Sequence, residues 1–381
     1  MEQYGMPHIG RIVMSVQENK AFGAVITRLI QKENLTRKEA RQAFVTVLNN
    51  QTTDMQQGAF LSALAAKGET ALEVAGAWEA IYDFDTTKVH INKALDLVEN
   101  SGTGMDTFKT FNISTAASII AAAGGIPMAR HGARAITSVC GTVDLAEAMG
   151  VDVECEATIV AKSIETAGLG LFNGMSPHIH PMALGRILSQ IHFGSTLNIA
   201  ASLANPALPA TGVRGVYSRK MIRPVAQVMQ TIGYENALVL HGSIDHSTRG
   251  MDEASVCGTT FCARISGDNA IEEFSLDPKR LGLKVQDCSD LSPEPGIEIE
   301  ARRFVSLMTG REEGARKDAV LLNAGLIHYA AGKVSSVEQG IEQAARALEK
   351  GKAFDTLEEW VAAQNTESQK GLDTLHRLVK G

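Results

Sequence analysis

The chain has no excess of basic residues: 36 Lys and Arg stand against 43 Asp and Glu, a formal charge of −7 over 381 residues. Proteins that bind nucleic acid normally show a basic excess or a clustered Lys/Arg stripe, and with neither present nucleic acid is excluded as the main partner. No apolar run reaches the length that a membrane span needs. The start, Met1-Glu2-Gln3-Tyr4-Gly5, lacks the basic region and apolar core of a secretory signal. The expected location is therefore cytoplasmic, with no membrane partner. Cysteines are few and odd in number, and Cys140, Cys155, Cys257, Cys262 and Cys288 are irregularly spaced. They match neither a disulfide framework nor a paired-cysteine zinc site, so they are read as reduced thiols of the core or of turns. Internal repeats and low-complexity tracts are absent. What is present is a 44% hydrophobic content, enough for one large or two moderate folded domains.

The first part reads as consecutive helices. Thr36-x-x-Glu39 and Thr70-x-x-Glu73 have capping-box spacing, Thr53 is a further candidate cap, and Gly68 is a helix stop. These signals predict a small all-helical domain over residues 20–88. Around Val89 the pattern changes to short β-branched runs alternating with helices, such as Ala237-Leu238-Val239-Leu240, the signature of a mostly parallel sheet flanked by crossover helices. An α/β domain is expected from residue 89 to about 362, interrupted by a return to helical periodicity over about 181–201. Residues 363–381 read as a polar C-terminal tail.

Most of the chemical signal lies in Gly102-Thr103-Gly104-Met105-Asp106-Thr107-Phe108-Lys109-Thr110-Phe111-Asn112-Ile113-Ser114-Thr115. Leu95-Asp96-Leu97-Val98 before it predicts a short strand, and the two glycines permit close backbone approach. The hydroxyls and Asn112 precede an alanine-rich helix, so donors converge at a helix N-terminus, where the dipole favours phosphate. Glycine turns before capped helices also occur without phosphate, and the residues further along the chain sharpen the reading. Downstream stand Arg130-His131-Gly132-Ala133-Arg134, then Thr137-Ser138-Val139-Cys140-Gly141-Thr142-Val143-Asp144, and later His241-Gly242 and Asp252-Glu253.

In this order the elements resemble the anthranilate phosphoribosyltransferase family, whose fold is of the type shared with pyrimidine nucleoside phosphorylases. The family pattern is a GTGGD loop, NxST, KHGNR, a serine-rich turn ending GSAD, and HGxxGxDE. Here the counterparts are GTGMD, NIST, RHGAR, TSVCGTVD, and His241-Gly242 followed after an insertion by Asp252-Glu253, and the resemblance runs from about Leu35 to Leu357. It implies transfer of ribose 5-phosphate from phosphoribosyl pyrophosphate to an aromatic acceptor, with release of pyrophosphate, in an interdomain cleft. It further implies that residues 181–201 rejoin the helical domain. By resemblance, Gly102, Thr103, Gly104 and Asp106 hold the pyrophosphate, with Thr110, Asn112, Ser114, Thr115, Arg130 and Thr142 as further donors. Asp252 and Glu253, with Ser114, would hold Mg²⁺, since a few hard oxygen ligands suit a magnesium that also binds phosphate. The family's habit, with the apolar faces Phe44-Val45-x-Val47-Leu48 and Phe60-Leu61-x-Ala63-Leu64, implies a homodimer through the N-terminal helices.

Several positions depart from the pattern. Met105 replaces a glycine and puts a long side chain where the backbone would approach the donor. Arg130 replaces a lysine and keeps the charge. On the acceptor side Ala133 replaces an asparagine. If His178 matches the family's later histidine, Leu188 stands where an arginine is expected, with Arg186 two positions away. Losing an amide and a carboxylate-binding cation costs a carboxylated ligand roughly 1.5–3 kcal/mol per charged hydrogen bond. The acceptor expected is thus anthranilate or, better suited to these departures, a related aromatic compound. His131 could assist proton removal from it or simply orient its loop. His178-x-His180 has metal-ligand spacing on a strand but no third ligand. Two alternatives stay open: a nucleoside phosphorylase on the same fold, and a noncatalytic binding homologue suggested by Met105, Ala133 and Leu188.

Overall fold

The computed structural model describes residues 15–135, 139–267 and 270–380. Ser15, Thr36, Thr53 and Thr70 cap the first four helices, α1 (Val16–Ile30), α2 (Arg37–Leu48), α3 (Asp54–Lys67) and α4 (Ala71–Phe84). At Thr36 and Thr70 the expected boxes close, because Glu39 and Glu73 return a bond to the cap backbone. Each such cap contributes about 1 kcal/mol. Gly68, at φ 86°, ends α3.

The second region starts with β1 (Val98–Gly102), α5 (Ile113–Ala123), β2 (Met128–Gly132), α6 (Thr142–Ala148), α7 (Ala157–Ala167) and β3 (Leu169–Asn173). Next come α8 (Leu184–Ile191), α9 (Thr196–Leu203), β4 (Thr211–Gly215), α10 (Ile222–Thr231), β5 (Asn236–Ser243), β6 (Gly250–Met251), β7 (Thr260–Ser266) and β8 (Glu272–Leu276). Five helices close the chain: α11 (Ile297–Met308), α12 (Ala315–Ala330), α13 (Val337–Glu349), α14 (Lys352–Ala363) and α15 (Ser368–Lys380).

The sheet order is β3-β2-β1-β4-β5-β7-β8, with β6 paired to β5. From β3 to β5 the strands are parallel, whereas β6, β7 and β8 pair antiparallel. Along β5 the side chains alternate: Ala237 and Val239 join one core, Leu238 and Leu240 the other. The first core is shared by α1–α4, α8, α9 and α10; the second takes in α5 and the C-terminal helices. The order in which successive strands are laid down reverses between β1 and β4, the switch point at which open parallel sheets form a crevice beyond their carboxyl ends.

Three details differ from the sequence pattern. β1 begins at Val98 rather than ending there, because its parallel register with β4 pairs Val98 with Thr211 and Gly102 with Gly215. The polar residues that hid this strand are buried with partners: Tyr234 donates to Glu99 at 2.5 Å, and Asn100 donates to the Ser114 carbonyl at 3.0 Å. The polar tail is a helix with Leu375 and Leu378 buried; ahead of it, the Gln364 side chain bonds both the N–H and the carbonyl of Leu171, masking the edge of β3. The apolar faces of α2 and α3 that suggested a dimer are consumed inside the chain, with Phe44, Phe60 and Leu61 wholly buried. All five cysteines are free, and burial pushes Cys140, Cys155, Cys257 and Cys262 up to about 12, so they are not reactive thiolates. Among the described residues no helix is long and apolar enough to cross a membrane.

Candidate functional site

The glycine run sits where the switch-point rule puts a ligand. Gly102 and Gly215 end their strands side by side, and Thr103 continues the pairing through its N–H to the Gly215 carbonyl at 3.0 Å. Gly104 and Met105 both take φ 65°. The Gly104 N–H, which would meet an anion, donates instead to Asp252 Oδ2 at 2.7 Å. Both strand-end glycines are needed for this: a β-carbon on Gly102 would lie 2.1 Å from Asp252 Oδ2, and one on Gly215 would lie 1.5 Å from the Asp252 carbonyl oxygen.

Around this point three acids converge. One ligand atom each from Asp106, Asp252 and Glu253 lies within 4.8 Å of the others. Burial, then the Asp252 charge, pushes the Asp106 carboxyl up to about 6, against Lys109, whose Nζ is 2.7 Å away. Glu253 is raised well above the carboxylate range by burial, then by Asp252 and Asp106, and Thr110 donates to it at 3.4 Å. Three carboxyls crowded into a shielded site, with Asp106 and Glu253 raised by it, are a donor set that a divalent cation fits, since its charge offsets the repulsion and its preference is for oxygen. Ser114 lies half-buried in the first turn of α5, its carbonyl accepting from Asn100 Nδ2 at 3.0 Å.

The remaining donor-side residues divide into two groups. Asn112 is the N-cap position of α5, but its amide donates to the Cys140 carbonyl at 3.1 Å, tying the downstream turn to the cradle. Thr142 starts α6 and packs on Gly132. Arg130 and Thr115 lie deeper: the buried guanidinium donates to Thr115 Oγ1 at 2.7 Å and to the Asn100 carbonyl at 3.1 Å, and burial lowers it to about 10. It braces β1 against α5 from beneath. Thr137 and Ser138 of the serine-rich turn lie outside the described residues.

The acceptor-side residues do not gather as the sequence suggested. His131 is buried, with Nδ1 3.3 Å from the Ser202 carbonyl and Nε2 3.2 Å from Nε2 of His180. Burial, then His180, pulls it down to about 3, so it stays neutral with each ring nitrogen already facing a protein partner. His180 Nδ1 lies 2.5 Å from the Asp85 carbonyl oxygen. The Asp85 carboxylate accepts from the N–H groups of Met182, Ala183 and Leu184 at 2.6, 2.9 and 2.7 Å, anchoring the start of α8. His178 points elsewhere, to Glu156 at 3.1 Å on the surface, so the two histidines do not form a metal pair. Ala133 is exposed beyond β2. Arg186 is spent on the helical domain, donating to Gln57 at 2.9 Å and to the Val47 carbonyl at 2.8 Å, while Leu188 packs against the helical core.

Sequence reasoning misses Asp85, His180 as a buried partner of His131, and the buried Arg214, which donates to Ser101 at 2.6 Å and to the same Ser202 carbonyl at 3.0 Å. No local motif marks Asp85 or Arg214; both matter through partners far along the chain. Met105 stands out in the sequence, but its direction does not: the side chain leaves the cradle and reaches Gly194, where a β-carbon would sit 2.9 Å from its Cε. Holding a side-chain-bearing residue in the left-handed region costs roughly 1–2 kcal/mol.

Comparison with known proteins adds a common frame. Two family descriptions match: the helical bundle domain of a glycosyl transferase family over residues 24–84, and the a/b domain of a glycosyl transferase family over residues 94–354. An anthranilate phosphoribosyltransferase of Haloarcula marismortui is 36% identical over 340 residues, 89% of this chain and 99% of the relative. That of Methanothermobacter thermautotrophicus is 32% identical, over 90% of this chain and 97% of its own. Among solved structures, anthranilate phosphoribosyltransferase from Thermus thermophilus superposes with a TM-score of 0.80 at 31% identity, covering 89% of this chain and 98% of that one. The Saccharomyces cerevisiae enzyme, solved in complex with PRPP and Mg, shares the fold at a TM-score of 0.79 and 21% identity, covering 91% and 98%.

Proposed function

The chain belongs to the glycosyltransferase family of the anthranilate phosphoribosyltransferases, and from that premise we infer that it moves the 5-phosphoribosyl group of phosphoribosyl pyrophosphate onto an aromatic acceptor. It is a pentosyltransferase with the helical and α/β domains of that family. The observation that carries the reading is the meeting of the Gly102–Asp106 turn with the Asp106, Asp252 and Glu253 carboxyls at the ends of β1 and β4.

In this reading the pyrophosphate lies against the Gly102–Asp106 turn, with the Gly104 N–H turning from Asp252 to the donor when it binds and with Thr110, Asn112, Ser114 and Thr142 at its edges. Arg130 supplies positive charge from below, through Thr115. Asp252 and Glu253 would hold Mg²⁺ with Ser114, and Asp106 adds a third acid at the same place. When bound, the ion neutralises charge on the leaving pyrophosphate. The acceptor's nitrogen or oxygen forms a bond to C1 of the ribose. The bond from C1 to the pyrophosphate oxygen breaks, its electron pair leaves with pyrophosphate, and the acceptor's proton passes to water or to the departing pyrophosphate.

His131, a candidate for taking that proton on sequence grounds, enters this reading as a positioning residue: its nitrogens tie β2 to α9 and to the segment before α8. A homodimer through the N-terminal helices would have to use what those helices leave exposed, chiefly Val16, Ile30, Met55 and Leu72. Calorimetry tests the donor reading. Phosphoribosyl pyrophosphate should bind with Mg²⁺ and far more weakly without it, and mass spectrometry of reactions with anthranilate, aminobenzoates, hydroxybenzenes and nucleobases should show one ribosylated product class. Absence of magnesium-dependent donor binding, or a product formed from inorganic phosphate and a nucleoside, would overturn it.

A further inference from the structure

Between Gly242 and Gly250 the chain carries seven residues, Ser243 to Arg249, where the family pattern HGxxG has two. They make a hairpin that joins β5 to β6 and passes through His246 at φ 58°. Its first leg is anchored: Ile244 enters the second core, and the Asp245 N–H donates to the Cys257 carbonyl at 2.9 Å. Its last leg closes on the donor side. Arg249 Nε donates to the Thr107 carbonyl at 3.3 Å, and the guanidinium carbon lies 4.8 Å from the centre of the Phe108 ring. The next residue continues the contact, because the Gly250 carbonyl accepts from the Phe108 N–H at 3.0 Å and the Gly250 N–H donates to Thr107 Oγ1 at 3.0 Å. Three residues further on, Glu253 accepts from Thr110.

Residues 103–112 have no helix or strand of their own, yet they carry Asp106, Lys109 and Thr110. A ligand that needs such a segment in one arrangement binds more weakly in proportion to the time the segment spends elsewhere. The Phe108 ring is a fixed point, since it is buried in the second core. Arg249 ties the exposed Thr107 backbone to that point and to the anchored hairpin with a charge-assisted bond and a cation–π contact.

We propose that Arg249, delivered by the longer β5–β6 hairpin, is a positioning residue that holds residues 106–110 in their donor-binding arrangement before the donor arrives. This rests on the phosphoribosyl-transfer reading. Arg249 acts through the turn without touching the donor, so it sets how tightly the donor binds and leaves the bound complex as it is.

The test uses the full chain. Phosphoribosyl pyrophosphate is titrated calorimetrically with Mg²⁺ present, and hydrogen exchange of the Phe108 amide is followed in free and in donor-saturated protein. In Arg249→Ala the free protein should exchange this amide roughly tenfold faster and the donor Kd should rise roughly tenfold, because losing both contacts shifts the opening of the turn by about 100-fold and leaves it mostly open. With donor bound, the amide should be as protected as in the wild type. Position 249 is exposed, so the melting temperature should stay within about 2 °C. Arg249→Lys keeps a cation for the ring and a donor for the carbonyl, and should bring both values back to within about threefold of wild type. Weaker donor binding with unchanged exchange in the free variant would mean that Arg249 grips the donor directly, and would overturn the proposal. So would an unchanged donor Kd, or a loss of affinity that merely follows a general loss of stability. A wild type without magnesium-dependent donor binding is a different failure, because it removes the transfer reading itself and the proposal with it, whatever the Phe108 amide reports.

Discussion

The two sides of the cleft are built on opposite electrostatic terms. On the donor side three acids share one place and are short of positive charge, with the half-exposed Lys109 ammonium set against Asp106 alone. On the acceptor side the inner polar groups are already satisfied: His131, His180, Asp85 and Arg186 each have partners within the protein, and Met175, Met182 and Phe193 are among the side chains left exposed. A site that is electrostatically incomplete asks for an ion and a phosphate. One that is complete offers shape and dispersion.

The largest expected effect comes from removing what makes the donor side incomplete. Asp252→Ala deletes both the partner of the Gly104 N–H and one acid of the cluster. Charged hydrogen bonds are worth about 1.5–3 kcal/mol each, so magnesium-dependent donor binding should fall by roughly 100-fold while the thermal transition survives. Ser114→Ala should weaken it less. Unchanged donor affinity in both variants, measured calorimetrically with intact melting, would show that donor and metal bind elsewhere.

A second test uses pH. Asp106 and Glu253 are raised in the folded state, so above about pH 4 the folded chain holds more protons than the unfolded one. Their contribution is therefore fullest below the unfolded carboxyl pKa and is lost as pH rises through the folded value, about 6 for Asp106. A cation bound among them offsets that loss. The rise in melting temperature on adding Mg²⁺ should then be larger at about pH 7.5 than at about pH 5. An equal rise at both would separate the metal from these acids.

How far each side is legible in the sequence depends on the same contrast. The donor side is written in short local runs, since a glycine turn, a capped helix and an acid pair need particular residue types in adjacent positions. The fold is legible where caps and alternation are local, at Thr36, Thr70 and β5. It is not legible at β1, where Glu99, Asn100 and Ser101 look like a loop until Tyr234, Ser114 and Arg214 are brought to them. The acceptor side depends on such distant pairs throughout. Arg186 looks available because no sequence pattern says that the Val47 carbonyl will take it. The tail looks unattached because the contacts that hold Gln364 and Gly371 lie at Leu171 and Gly150.

A smaller effect should come from His131. With its pKa near 3 it is neutral across the working range, so the pH dependence of kcat/KM between about pH 5.5 and 8 should carry no limb due to it. His131→Gln should change acceptor KM by a few-fold through the loosened contacts to Ser202 and His180, with the profile shape unchanged. A limb near pH 6.5 that disappears in the variant would restore His131 as the general base.

Arg186→Ala should have the smallest effect on turnover, and it discriminates most finely between the two sides. If the acceptor were held by its carboxylate, this arginine is the cation nearest the expected register, and losing it would raise the acceptor KM by tenfold or more. In the structure its two bonds run to Gln57 and to the Val47 carbonyl in the last turn of α2, away from the histidine pair. The variant should therefore lose stability, by about 1–2 kcal/mol for a half-buried carbonyl and amide left without their donor, and keep acceptor kinetics within about twofold. Thermal melts and pyrophosphate-release assays on one preparation give both numbers. Normal stability with anthranilate turnover abolished would mean that Arg186 leaves the helical domain to bind substrate, and that the acceptor side is as electrostatic as the donor side.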